Sequence, residues 1–274
     1  MTTPTPTPTP TVRHSGAVAT LLLVVGLAAA CGRSSSSPAS TSTTAATMNG
    51  SITVSAASSL TGAFGQLEAT FHDLHPGATV AFNFGSSGAL ATQIQQGAPA
   101  DVFASASLGD MATVQQAGDI SRTPMIFARN RLEIVVKPGN PLGIHSLADL
   151  TKASVVALCV TTAPCGSTAQ RALAKAHVTL PVAKVSLGQN VDATLAEVTT
   201  GDADAGVVYV TNAKTVGTQG VGVPIPPSQN VTTSYPIALV KGTTDRTLAQ
   251  AWIAYVLGPT GQSVLRRASF LSAR

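Results

Sequence analysis

Three short stretches of this chain place hydroxyls beside bare backbone at points where an apolar run gives way to helical spacing. "AASSLTGAF" carries Ser58 and Ser59, "FGSSGAL" carries Ser86 and Ser87, and "APCGSTAQRAL" carries Cys165, Gly166 and Ser167. The start of a helix leaves backbone N–H groups without acceptors and holds about half a positive charge, and a neighbouring serine adds one more donor. Such turns bind an anion with no cationic side chain, and the only charged residue between Phe82 and Ala106 is Asp101. Each turn alone is equally an ordinary N-cap, so their conjunction carries the argument.

Other chemistries fit less well. The nucleophile-elbow pattern G-x-S-x-G is missing from these turns, where "GSSG" is one residue short, and none of the five histidines, at 14, 72, 75, 145 and 177, lies in them. The chain is therefore read as a binding protein and not an enzyme. His72 and His75 have a spacing open to a metal but read as exposed helix residues, and the Asp202 and Asp204 pair in "GDADAG" lacks the following ligands of a calcium loop. Trp252 and Tyr255, at helical spacing, are read as core. The C-x5-C pair Cys159 and Cys165 is expected to form a disulfide, closing a loop worth about 2 kcal/mol. A metal site or a nucleophilic thiol are the competing readings, and neither has His or acidic residues nearby in sequence.

The elements that must position these turns alternate. Strands are expected at 51–57, 78–84, 101–106, 131–138, 154–160, 205–210 and 235–241. Helices are expected from Leu60 to Gly77, at 88–97, 108–118, 166–176 and 190–201, and in two final segments after Lys241. In the first helix Leu60, Phe64, Leu67, Phe71 and Leu74 recur at three to four residues. The stretch "SRTPMIFARN" before residue 131 reads as a loop. Strand–helix alternation predicts an α/β chain of two lobes, each a mainly parallel sheet flanked by helices, with ligand at the carboxyl ends of the strands. The expected lobes are 49–130 plus 230–274, and 131–229.

Charged residues make up only 10% of the 274, well below the quarter usual in soluble domains, and the net charge is +4 without a basic run. That distribution excludes nucleic acid as a partner. At the N-terminus, Arg13 and His14 precede the apolar run from Gly16 to Ala30, followed by Cys31. Residues 1–31 therefore read as a signal peptide with a lipobox-like end and Cys31 as the acylated residue, although Ala28 stands where the lipobox favours Leu. Residues 32–48, rich in Ser, Thr and Ala, read as a disordered tether, spanning roughly 20–25 Å on average. The expected location is the extracytoplasmic face of a bacterial membrane, lipid-anchored.

Four segments, "ITVSAASSLTGAF", "FGSSGALATQIQQGAPADVFASA", "NVDATLAEVTTGDADAGVVY" and "YPIALV", resemble the molybdate-binding proteins of ABC importers in order and spacing, over residues 51 to 270. The resemblance implies a type II periplasmic-binding-protein fold holding a tetrahedral oxyanion in the cleft between the lobes. It implies that Ser59 and Ser87 donate through hydroxyl and backbone, Cys165 and Val191 through backbone N–H, and Tyr209 through its phenol. Cys165 stands where that family often has a small residue such as Ala. The resemblance further implies a monomer that hands molybdate or tungstate to a membrane permease, with no cofactor and no direct bonds to the metal atom. The alternative ligand is another oxyanion, sulfate or phosphate.

Overall fold

The structure is a computed structural model describing residues 47–273; the expected signal peptide, Cys31 and all of the expected tether except Thr47 and Met48 lie outside them. Strand β1 (Asn49–Ala57) buries Ile52, Val54 and Ala56 and passes through one 3-10 turn, Ser58–Leu60, into helix α1 (Thr61–Leu74). Phe64, Leu67 and Phe71 face the core as their spacing predicts, whereas Leu74, at the fraying last turn, is left 57% exposed. Strand β2 (Gly77–Gly85), helix α2 (Ser87–Gln95), strand β3 (Val102–Ala104) and helix α3 (Leu108–Gln116) follow. Both β2 and β3 pair in parallel with β1. The crossovers between these parallel strands carry α1 and α2 and bring their N-termini to the carboxyl edge of the sheet.

The chain then enters the twelve-residue strand β4 (Met125–Val136), which belongs to both lobes. Met125 to Arg131 pair antiparallel with β9 (Thr232–Leu239), and Leu132 to Val136 pair antiparallel with β7 (Ala205–Tyr209) and β8 (Val221–Pro224). Of the stretch 121–130 expected as a loop, Ser121 to Pro124 stay outside any strand and Met125 to Asn130 form the first half of β4. Its polar Arg129 and Asn130 masked the strand, yet Asn130 is fully buried because its side chain bonds other buried groups. The second lobe holds β5 (Val156–Cys159), α4 (Pro164–Lys175), β6 (Val185–Gly188), α5 (Val191–Thr199), β7 and the single turn α6 (Val210–Ala213). Here β5 pairs in parallel with β6 and β7. Strands β6 and β8 and helix α6 have only four residues each, too few to show a periodicity in sequence.

Among the described residues the strands run in the order β2-β1-β3-β9-β4-β7-β5-β6, with β8 on β4. Parallel pairing prevails away from the crossing, and β4 and β9 supply the antiparallel pairing where the chain passes between lobes. Asn230 fastens that crossing: its amide accepts from Leu132 N at 3.0 Å and donates to Leu132 O at 2.8 Å. Helices α7 (Arg246–Leu257) and α8 (Pro259–Arg267) return to the first lobe, where Trp252 is fully buried against Phe64 and Phe71. One apolar core runs through Leu132, Val156, Ala169 and Val207, and another through Ile52, Phe64, Phe127, Ile237 and Trp252. No helix among the described residues is long and apolar enough to cross a membrane.

Candidate ligand-binding site

The three turns singled out in the sequence converge. Ser59, Ser87, Cys165, Val191 and Tyr209 all line one small pocket, together with Ala57, Ser58, Gly85, Ser86, Ala106, Pro164 and Asn190. All five are buried, none more than 7% exposed. The first lobe supplies the serines and the second supplies the other three. No Lys, Arg, His, Asp or Glu lines the pocket.

Each position follows from a local rule. Ser86 is the N-cap of α2, its Oγ accepting from Ala89 N at 3.3 Å, so Ser87 is the first helical residue. Asn190 caps α5 in the same way, accepting from Ala193 N at 3.0 Å and leaving Val191 first in its helix. Pro164 opens α4 with its fixed φ and no donor to lose, which makes Cys165 the second residue. Ser59 sits inside the 3-10 turn ahead of α1. First-turn N–H groups have no acceptor in their own helix, so four helix starts aim donors at one small volume.

The serine hydroxyls are polarised toward the pocket by what stands behind them. Ala106 N donates to Ser87 Oγ at 2.9 Å, so the Ser87 proton is left to point elsewhere. Asn130 Nδ2 donates to Thr211 Oγ1 at 2.9 Å and to the Tyr235 oxygen at 3.3 Å, and that oxygen lies 2.8 Å from Ser59 Oγ. Either oxygen of that pair can donate, and where Tyr235 does so the Ser59 proton is free for the cavity. The buried phenol oxygen of Tyr209 has no hydrogen bond of full geometry, and the Thr168 side chain close to it acts against the upward shift of its pKa. Burial, with the Tyr235 ring beside it, holds the Tyr209 pKa well above a phenol's ordinary value, so it remains a donor at neutral pH. A buried donor without an acceptor costs stability until a ligand supplies one.

Tyr235 and Asn130 are functional candidates that sequence reasoning missed. Tyr235 opens "YPIALV", which the sequence offers as a strand and a segment of the resemblance but not as a site, and Asn130 falls in the stretch read as a loop. Asp192 was missed too: it follows Val191 and reaches across the lobes, accepting from Asn212 Nδ2 at 2.6 Å and from Thr61 Oγ1 at 3.4 Å. Burial raises its pKa to about 6, against those two hydrogen bonds.

Cys159 and Cys165 are joined in a disulfide, with Cα atoms 5.8 Å apart, and it ties the end of β5 to the start of α4. The other chemical candidates have structural places. His72 Nδ1 lies 3.3 Å from Ala78 O, and His75 Nδ1 accepts from Met48 N at 3.4 Å. Asp204 pairs with Lys137 at 2.8 Å and accepts from Ser154 N, while Asp202 accepts from Thr200 Oγ1. No cluster of metal-ligating side chains occurs among the described residues.

Two lobes closing on a pocket made of helix starts define a solute-binding protein. The profile of the family described as bacterial extracellular solute-binding proteins matches residues 52–271, and the chain belongs to that family. It is 40% identical over 257 residues to the molybdate-binding protein ModA of Mycobacterium tuberculosis, covering 93% of this chain and 97% of the relative. In fold it is similar to the periplasmic molybdate-binding protein of Azotobacter vinelandii, with a TM-score of 0.71 at 19% identity over 80% of this chain and 98% of that one. The sulfate-binding protein SubI of Mycobacterium tuberculosis is also similar, with a TM-score of 0.73 at 19% identity over 80% and 86%.

Proposed function

We propose that this protein captures molybdate outside the cytoplasm and delivers it to the membrane permease of an ABC importer, with tungstate as a second ligand. The reading is carried by the convergence of Ser59, Ser87, Cys165, Val191 and Tyr209 on one buried pocket that contains donors and no charged side chain. Molybdate at neutral pH only accepts hydrogen bonds, so a donor-only cavity matches it, while the proton of hydrogen phosphate finds no carboxylate there. The 40% identity to a molybdate-binding protein over nearly the whole of both chains supports the same ligand.

The steps follow from the geometry. The anion meets one lobe's helix starts, and closure about the β4 and β9 crossing brings up those of the other. Tyr209 then donates to the anion, and the Ser87 and Ser59 hydroxyls, backed by Ala106 N and Tyr235, complete the shell. About seven charge-assisted bonds, at roughly 1.5–3 kcal/mol each before ordering and desolvation costs, suffice for micromolar to nanomolar affinity.

The lobe limits 49–130 with 230–274 and 131–229 are part of this reading, supported by the division of the apolar cores on either side of the crossing. So are the monomeric state and anchoring through an acylated Cys31, the latter supported by the apolar run and small residues ahead of that cysteine. Titration calorimetry of the purified protein with molybdate at neutral pH tests the ligand. One site of micromolar or tighter affinity is expected, and absence of binding overturns the assignment.

A further inference from the structure

Gly88, second residue of α2, is unusual for a reason unrelated to turn geometry. Its φ is not positive, so its backbone is open to any residue, and Ala would serve a helix better. What forbids a side chain is the other lobe: a Cβ at Gly88 would stand 2.5 Å from the carbonyl oxygen of Thr162. By contrast Gly65, on α1, has nothing within 4 Å of the same position.

The Thr162 carbonyl belongs to a loop that cannot yield locally. The disulfide between Cys159 and Cys165 brackets it. Val160 N donates to Gly188 O at 2.9 Å and Ala163 N to Val160 O at 3.0 Å, anchoring the loop to β6 and to itself. Gly166 is packed against the carbonyls of Cys159 and Val160 too closely for any side chain. A methyl group at residue 88 is therefore accommodated by the lobes standing apart, and both walls of the contact also carry ligand-pocket residues, Ser87 on one side and Cys165 on the other.

We propose that Gly88 and the disulfide-held loop at Thr162 form the stop that sets how far the cleft closes, making Gly88 a positioning residue for ligand capture. The contact brings the donor of Ser87 and that of Cys165 to their working separation. A side chain at 88 leaves each lobe intact and holds the two sets of donors apart. This rests on the oxyanion-binding reading above.

The test compares the full chain with Gly88→Ala and Gly65→Ala, the second variant adding the same methyl to a helix where nothing opposes it. Each is titrated with molybdate, tungstate, sulfate and phosphate by calorimetry and examined by small-angle X-ray scattering with and without saturating anion. Gly88→Ala is expected to keep or raise the thermal midpoint of the ligand-free protein, to lose at least tenfold in affinity through faster release, and to compact less on binding. Gly65→Ala is expected to match the wild type in affinity and compaction. Binding by Gly88→Ala within twofold of wild type, with equal compaction, overturns the closure role while leaving the ligand assignment standing. A wild type that neither binds nor compacts with any of the four anions overturns both.

Discussion

The rings of Tyr209 and Tyr235 meet edge to face with centroids 6.2 Å apart, yet only the Tyr235 phenol makes hydrogen bonds of full geometry. Tyr235 is held between Ser59 and Asn130, whereas the oxygen of Tyr209 is buried without such a bond. On the proposed reading the pair divides its labour: one phenol backs the Ser59 hydroxyl, and the other donates to the bound anion.

Removing the Tyr209 donor isolates it. Tyr209→Phe keeps the ring packed on Tyr235 and deletes an oxygen that makes no hydrogen bond of full geometry in the protein. Calorimetry should show molybdate affinity reduced by about 1.5–3 kcal/mol, with the ligand-free protein as stable as wild type or more so. An unchanged dissociation constant removes Tyr209 from the site.

The relay behind Ser59 gives a second signature. Tyr235→Phe leaves Ser59 without the phenol behind it, although the serine remains. Affinity is expected to fall less than in Ser59→Ala, and the double variant Tyr235→Phe with Ser59→Ala should lose little more than Ser59→Ala alone. Fully additive losses in that cycle would show that the two residues act separately.

The Ser and Cys turns were legible because helix starts announce themselves by local residues such as Ser86 and Pro164, whereas Val191, behind the Asn190 cap, came only from the family resemblance. The relay was not legible, because Asn130, Thr211 and Tyr235 are 81 and 105 residues apart along the chain and meet only through the antiparallel pairing of β4 with β9 and the turn after β7. The strand containing Asn130 was hidden for a related reason. A buried amide flanked by Arg129 and Arg131 leaves no apolar alternation to mark a strand, and only its folded partners explain it.

Asp192 makes stability depend on pH. Its folded carboxyl keeps its proton up to about pH 6, while the unfolded one releases it near about 3.9. Between those values the folded chain binds more protons, so this group's contribution falls as pH rises through the window, and the cost is fully present above about 6. Asp192→Asn retains an acceptor for Asn212 without the charge. Denaturant midpoints should place it above wild type at pH 8 and level with it near pH 4; an equal offset at both values contradicts the assignment.

Breaking the disulfide is expected to act on both stability and binding. Replacing Cys159 and Cys165 together by Ser should cost about 2 kcal/mol in stability, from the freed loop in the unfolded chain. It should also weaken molybdate binding, since Cys165 N–H lies at the released end of that loop. Calorimetry at a temperature where the variant is folded separates the two effects; unaltered affinity there would place the bridge outside the binding account.

The most direct measurement is competition calorimetry at neutral pH with molybdate, tungstate, sulfate and phosphate. Rigid donors set by four helix starts should hold the two larger dianions about equally. Sulfate has shorter bonds to oxygen and cannot reach all donors at once; the loss of geometry at two charge-assisted bonds costs roughly 3–6 kcal/mol, at least a hundredfold. Phosphate should bind more weakly still where it carries a proton facing a donor. The account predicts molybdate and tungstate within tenfold of each other and both at least a hundredfold tighter than sulfate and phosphate, whereas sulfate or phosphate within tenfold of molybdate would contradict it and leave a general oxyanion-binding protein in its place.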